Sequence, residues 1–229
     1  KLMKDIFLVS LVACTLQYGL TYTGVSMIDA SSAVLIVQSE VPFGVMVAFF
    51  MLKERPSIKN LIGLLFAFVG LIVLTGAPNL QGKYLGVFLV LSGALTWAFG
   101  QVLAKPISEK ISGPALTAWI GLMGGPQLII ASVFFEGNTL ENIQSADIYA
   151  WAIVLYLAVI MTAVGYSCWY YVLGKYPVNK IMPVHLLLPF VGIITAIILL
   201  KEQPEMEVFI GGAIILFGVG VILITREKK

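Results

Sequence analysis

From Tyr84 to Ala104, from Leu116 to Phe135 and from Tyr149 to Leu173 the chain carries no charged residue. Each run matches the ~20 residues that a helix needs to cross the hydrocarbon core of a bilayer at ~1.5 Å per residue. Backbone inside lipid has no water to bond to, so a run of this length must bond to itself as a helix. The composition agrees: 59% of the 229 residues are hydrophobic, 11% are charged, and the mean hydropathy is +0.99. Ordinary soluble domains are about 25% charged, and too few charges remain here to cover a water-facing surface. Apolar runs between charged or Gly/Pro-rich breaks predict eight helices: Ile6–Tyr22, Ala30–Leu52, Ser57–Thr75, Tyr84–Ala104, Leu116–Phe135, Tyr149–Leu173, Lys180–Leu200 and Glu207–Thr225. The fold class is therefore all-α, a polytopic transmembrane helix bundle. Short connectors favour antiparallel neighbours, while the acidic, polar stretch Glu136–Ile148 reads as an exposed loop. Cys14 and Cys168 lie inside apolar runs and read as small hydrophobes. Lys1–Asp5 leads into the first run without a small-residue cleavage site, so no signal peptide is expected.

Charge placement predicts sidedness. All 14 Lys and Arg residues except Lys83 and Lys201 fall on one side of the expected membrane. Cytoplasmic loops carry such an excess, so both ends of this chain are expected in the cytoplasm and the protein in the cytoplasmic (inner) membrane. Tyr84, Tyr149, Trp151 and Tyr176 fall at helix ends, as interfacial aromatics do.

Shifting the chain against itself by 148 residues aligns Tyr18 and Tyr22 with Tyr166 and Tyr170, and Gly44 with Gly192. It also aligns Leu52-Lys53-Glu54-Arg55-Pro56 with Leu200-Lys201-Glu202-Gln203-Pro204, and Gly63 and Gly70 with Gly211 and Gly218. Apolar segments resemble one another cheaply, but a shared Leu-Lys-Glu-x-Pro turn followed by glycines seven apart does not arise so easily. The charge pattern puts Lys53–Pro56 and Lys201–Pro204 on opposite faces, so the copies are inverted. An inverted unit needs an odd number of helices; the second supplies five and the first only three. The expectation is thus eight helices of a ten-helix protein, with about two spans of ~20 residues preceding this chain; a genuine eight-helix protein is the alternative. Inverted repeats of this kind exchange conformations around a midplane site, which is alternating access.

These residues resemble the EamA-type branch of the drug/metabolite transporter superfamily, whose members are built from two five-helix units. Leu52-Lys53-Glu54-Arg55 and Leu200-Lys201-Glu202-Gln203 stand where that family has a Leu-Gly-Glu-x turn, with Lys in place of Gly. Gly93-Ala94-Leu95-Thr96-Trp97-Ala98 with Lys105-Pro106 matches the start of a second unit. Val164-Gly165-Tyr166-Ser167-Cys168-Trp169 with Leu173-Gly174-Lys175-Tyr176 is similar to bacterial amino-acid and metabolite exporters of the O-acetylserine/cysteine exporter type. The resemblance implies that residues 1–80 are the last three helices of a first EamA repeat and residues 81–229 a complete second one. It specifies the fold far better than the substrate.

Polar residues that break the repeat are the informative ones. Glu40 sits mid-helix where its counterpart is Leu188, and an acid at mid-bilayer costs about 2.5–3.5 kcal/mol on insertion scales. It is either a proton-titrating or ammonium-binding group, or a structural carboxylate bonded to a neighbouring helix. His185, the only histidine, replaces Val37 one turn from the Glu40 position, so both could address one central cavity; the bland alternative is packing. Gln38 lies mid-helix beside Glu40 and Gln101 beside Trp97, with Gln17 and Gln127 as further amides, each serving as site or as interhelical glue. Tyr18, Tyr22, Tyr166 and Tyr170, paired at i and i+4, line a pathway or pack. Pro42, Pro183 and Pro189 each free a carbonyl, which marks gating helices. Gly63, Gly70, Gly211 and Gly218 allow close helix contact, within one chain or in a homodimer.

An enzyme would need a constellation such as His-Glu-x-x-His or paired aspartates, and none is present, so no enzymatic activity is expected. A phosphate-bearing substrate asks for Lys or Arg inside the bundle, yet each maps to a helix end or loop. The expected function is secondary transport: export of a small neutral or zwitterionic metabolite, amino-acid-like or drug-like, with either proton coupling or facilitated diffusion. A non-transporting membrane scaffold or a channel is the alternative. The expected partners are the lipid bilayer and a small-molecule substrate; no cofactor, metal or nucleic acid is expected.

Overall fold

The computed structural model of the chain describes residues 2–28, 30–75, 82–135, 143–200 and 206–224. Most of the Glu136–Ile148 stretch, the Lys201–Pro204 turn and the basic residues Lys1, Arg226, Lys228 and Lys229 lie outside the described residues. Among the described residues the main α-helical elements are, in order, α1 (Leu2–Val25), α2 (Ala30–Val37), α3 (Glu40–Leu52), α4 (Ile58–Thr75), α5 (Tyr84–Ser108), α6 (Gly113–Phe135), α7 (Ile148–Lys175), α8 (Val178–Ile181), α9 (Leu187–Leu200) and α10 (Met206–Ile224). Only a short turn separates α2 from α3, and a 3-10 segment, Met182–Leu186, joins α8 to α9. Among the described residues there is no strand. Five spans are long and apolar enough to cross a membrane: Leu2–Val25, Ser32–Leu52, Tyr84–Ser108, Gly113–Phe134 and Ile148–Lys175. Ile58–Val73, Val178–Gly192 and Phe209–Ile224 are shorter apolar helices. The protein is a polytopic helical bundle.

Helix ends follow from local chemistry. The Asp147 carboxylate accepts the Ala150 N–H at 2.7 Å and starts α7, while the Ser57 hydroxyl accepts the Asn60 N–H at 3.1 Å at the start of α4; such caps contribute about 1 kcal/mol each. Lys53 closes α3 in the left-handed region, at φ 58°. This is the position where the resembling family has Gly, the residue that occupies it without the ~1–2 kcal/mol cost of a Cβ. α5 runs past the expected end at Ala104, through Pro106, to Ser108. The Lys105 ammonium there is buried and satisfied, donating to the Leu173 carbonyl at 2.8 Å and pairing with Glu109 at 2.9 Å. A Lys-Pro step that looked like a terminus is thus absorbed into the last turn.

The chain forms two compact units, one from Lys1–Gly19 with Phe99–Tyr176 and the other from Leu20–Ala98 with Pro177–Lys229. In the first unit, α6 packs against the N-terminal part of α1 and the C-terminal part of α7. Ile6, Val9, Leu116 and Leu173 are fully buried there. Both α1 and α7 contain a π-helical stretch, Leu11–Leu16 and Leu157–Tyr166. The 148-residue shift carries the first onto positions 159–164, inside the second.

In the second unit, α4 packs along α10. A Cβ on Gly63 would lie 2.6 Å from the Gly218 carbonyl oxygen, and one on Gly70 2.7 Å from that of Gly211. The backbones touch, so the glycine contact lies within one chain. The pairing is crossed: Gly63 corresponds to Gly211 under the 148-residue shift but meets Gly218, while Gly70 corresponds to Gly218 but meets Gly211. Such reciprocal contacts are what a twofold relation between two antiparallel helices produces. Large apolar side chains such as Phe50, Leu65, Leu122, Phe134 and Leu155 are exposed, as a lipid-facing surface requires.

Candidate functional site

The second unit builds its polar cluster at two breaks in helical structure. Proline cannot donate an N–H and its ring crowds the carbonyl four residues earlier. For Pro42 that carbonyl belongs to Gln38. The Val41 N–H takes it instead, at 3.1 Å, and the Ser39 N–H bonds to Ile36 at 3.0 Å. The chain tightens at Gln38–Ser39 and restarts as α3 at Glu40. Pro42 thus sits in the first turn of the new helix, and the break it causes lies upstream. The restart also gives the acid a physical reason to be tolerated: a carboxylate in the first turn faces the positive end of the helix dipole.

Pro189 acts likewise on the His185 carbonyl. His185 lies in the 3-10 segment that also contains Pro183, and Pro189 itself falls inside the regular helix α9. Gln38 Nε2 reaches that carbonyl in a long bond of 3.5 Å.

These two breaks bring Glu40 and His185 together. His185 Nδ1 lies 2.9 Å from Glu40 Oε1, with Glu40 only 7% exposed. With Glu40 ionised, the carboxylate only accepts and Nδ1 is the donor. The Trp97 indole, also buried, packs against the imidazole with ring centroids 4.8 Å apart and planes tilted by 51°. Gln38 is buried beside them, and its Oε1 has no partner among the described residues. Glu54, in the turn after α3, accepts the Asn179 N–H at 3.0 Å and so anchors the short helix that leads to His185. Sequence reasoning gave Glu54 no role, because nothing in the turn motif shows what its carboxylate meets.

The first unit holds a separate group. Gln101 on α5 is fully buried, and its Oε1 accepts the Trp169 indole N–H at 2.7 Å. Tyr170 is buried, with its ring 6.0 Å from that of Tyr166. Tyr18, on α1, is half-buried. Trp169 was missed as a site residue; its only signal was its place at the end of the Val164–Trp169 motif. Gln127 acts as a link between turns: its Oε1 accepts from Thr15 at 2.7 Å and its Nε2 donates to Ser10 at 3.2 Å. Tyr22, in the second unit, is 66% exposed. Among the described residues no three His, Cys, Asp or Glu side chains converge as metal ligands.

Comparison with known proteins supplies the context for this geometry. The model of the EamA-like transporter family matches residues 1–76 and 84–224. A relative from Escherichia coli, named a probable amino-acid metabolite efflux pump, is 30% identical over 90% of this chain and 68% of its own length. The Bacillus subtilis transporter YetK, itself uncharacterized, is 27% identical over 98% of this chain and 70% of its own length. A solved crystal structure superposes with a TM-score of 0.76 at 14% identity, covering 94% of this chain and 76% of the other, a likeness of fold alone. A helical bundle with lipid-facing sides, a buried acid–imidazole pair and a family match over nearly its whole length lead to one conclusion: the chain belongs to the EamA-like transporter family and is a multi-pass membrane transporter rather than an enzyme.

Proposed function

We propose that the protein exports a small neutral or zwitterionic metabolite, amino-acid-like or drug-like, across the cytoplasmic membrane by alternating access, with both ends of this chain in the cytoplasm. The observation that carries this reading is the Glu40–His185 pair, 2.9 Å apart at two helix breaks inside an apolar bundle. A packing role needs neither an acid at that depth nor two interrupted helices to hold it. The crossed glycine contacts of α4 and α10 support an inverted repeat, and such repeats place their sites at broken helices and exchange conformations around them. The printed name of the Escherichia coli relative, an amino-acid metabolite efflux pump, supports the substrate class.

In this mechanism Glu40 and His185 bind the solute and carry the coupling proton, and Gln38 and Trp97 shape the same site. Pro42, Pro183 and Pro189 keep the α2–α3 and α8–α9 connections free to bend. Within the first unit, Gln101, Tyr18, Tyr166 and Tyr170 offer polar groups to a solute. The test is efflux of a panel of labelled amino acids from proteoliposomes with and without an imposed pH gradient. Wild-type efflux is expected to accelerate under the gradient, and Glu40→Gln to remove that acceleration. Identical gradient dependence in Glu40→Gln rules out coupling through this pair.

A further inference from the structure

We infer that Gln38 is the specificity-determining residue of the Glu40–His185 site and that it selects solutes bearing a protonated amine. The inference rests on the transport reading above and adds the chemistry of the group recognised.

The orientation of the Gln38 amide is fixed by what it faces. A backbone carbonyl only accepts, so the nitrogen end must point at the His185 oxygen, 3.5 Å away. The oxygen end is then left over. It is buried, and among the described residues no group donates to it. Gln38 itself is 4% exposed. Leaving a buried acceptor unsatisfied costs about 1–3 kcal/mol, and in a bilayer no bulk water is at hand to relieve it.

The surroundings say what kind of donor fits. Glu40 supplies a carboxylate with one oxygen committed to His185 Nδ1. Trp97 supplies an aromatic ring, whose face attracts cations. Carboxylate, amide oxygen and indole together form a receptor for a compact cation with several N–H donors, which an ammonium provides. A carboxylate or phosphate presented to the same groups would meet two acceptor oxygens and be repelled. Arg and Lys are absent from positions 30–52 and 181–200, the two stretches that carry Gln38, Glu40 and His185.

Three probes of one carbon skeleton test this: L-leucine, isopentylamine and 4-methylpentanoate, titrated against the purified full chain with thermal stabilisation as the binding signal. The amine and the amino acid are expected to bind at least about tenfold more tightly than the acid. Gln38→Met should lower the amine-to-acid ratio several-fold, the Glu40 carboxylate still disfavouring the acid, and Gln38→Glu, which keeps an acceptor, should preserve it. Equal binding of amine and acid by the wild type, or a ratio unchanged in Gln38→Met, overturns the inference. If these occur while wild-type proteoliposomes still move solutes, only the ammonium selection fails. If wild-type proteoliposomes move no solute at all, the transport reading beneath it fails as well.

Discussion

Replacing Glu40 by Leu and His185 by Val in one chain is expected to leave the protein at least as stable as the wild type and to abolish transport. Each substitution installs the residue found at the repeat counterpart, Leu188 for Glu40 and Val37 for His185, so the helical scaffold accommodates both in the equivalent setting. Removing a buried polar pair as a unit is often neutral or stabilising by about 1–4 kcal/mol, because the cost of dehydrating both groups disappears. Removing one partner behaves differently. Glu40→Leu alone leaves the imidazole N–H without its acceptor, 2.9 Å from where the carboxylate was, and should be less stable than the double variant. Thermal unfolding in detergent reads the first effect and solute efflux from proteoliposomes the second. A structural pair predicts the opposite pattern, in which transport falls only as far as stability does.

The second large effect lies far from that pair, where α4 meets α10. Gly218→Ala is expected to destabilise by about 1–3 kcal/mol, the usual cost of forcing volume into a closed contact. Its new methyl would lie 2.5 Å from the Gly63 oxygen and 2.6 Å from the Ala67 nitrogen, so whole helices rather than side chains must separate. Gly220, two residues along the same helix, has nothing within 4 Å of its would-be Cβ. Gly220→Ala should therefore be neutral or stabilising, since Ala favours a helix over Gly by up to about 1 kcal/mol. A comparison of the two melting temperatures separates contact from propensity. Equal shifts would mean that α4 and α10 do not touch through these glycines.

The eight rods were legible because the bilayer leaves so few options: an apolar run of the right length has one viable structure. The meeting of Glu40 and His185 was legible for another reason. Each sits near the same place in its own copy of the repeat, so twin helices that face each other bring them together. The breaks were readable only in part. Pro42 and Pro189 were identified as their source, but a proline acts on the carbonyl four residues earlier, so the distortion appears at Gln38–Ser39 and at His185 rather than at the prolines. The π-helical stretches Leu11–Leu16 and Leu157–Tyr166 left no trace in sequence, because one extra residue per turn depends on packing rather than on residue type. Trp169 and Gln101 could not be paired for a similar reason: a hydrogen bond across 68 positions follows from tertiary placement. Tyr22 shows the reverse limit, since its match to Tyr170 suggested a shared environment, yet Tyr22 is exposed and Tyr170 buried.

Alternating access through the Glu40–His185 site is the central claim, and cysteine accessibility tests it most directly. Ser39 lies between Gln38 and Glu40, with a buried hydroxyl that no group among the described residues bonds, so Ser39→Cys is a conservative reporter once Cys14 and Cys168 are replaced by alanine. Membrane-impermeant thiol reagent would be applied to right-side-out and to inverted vesicles, with and without a transported amino acid. The expected result is labelling from either side, slowed by the solute in both. Labelling from one side only, or from neither, would contradict alternating access at this site.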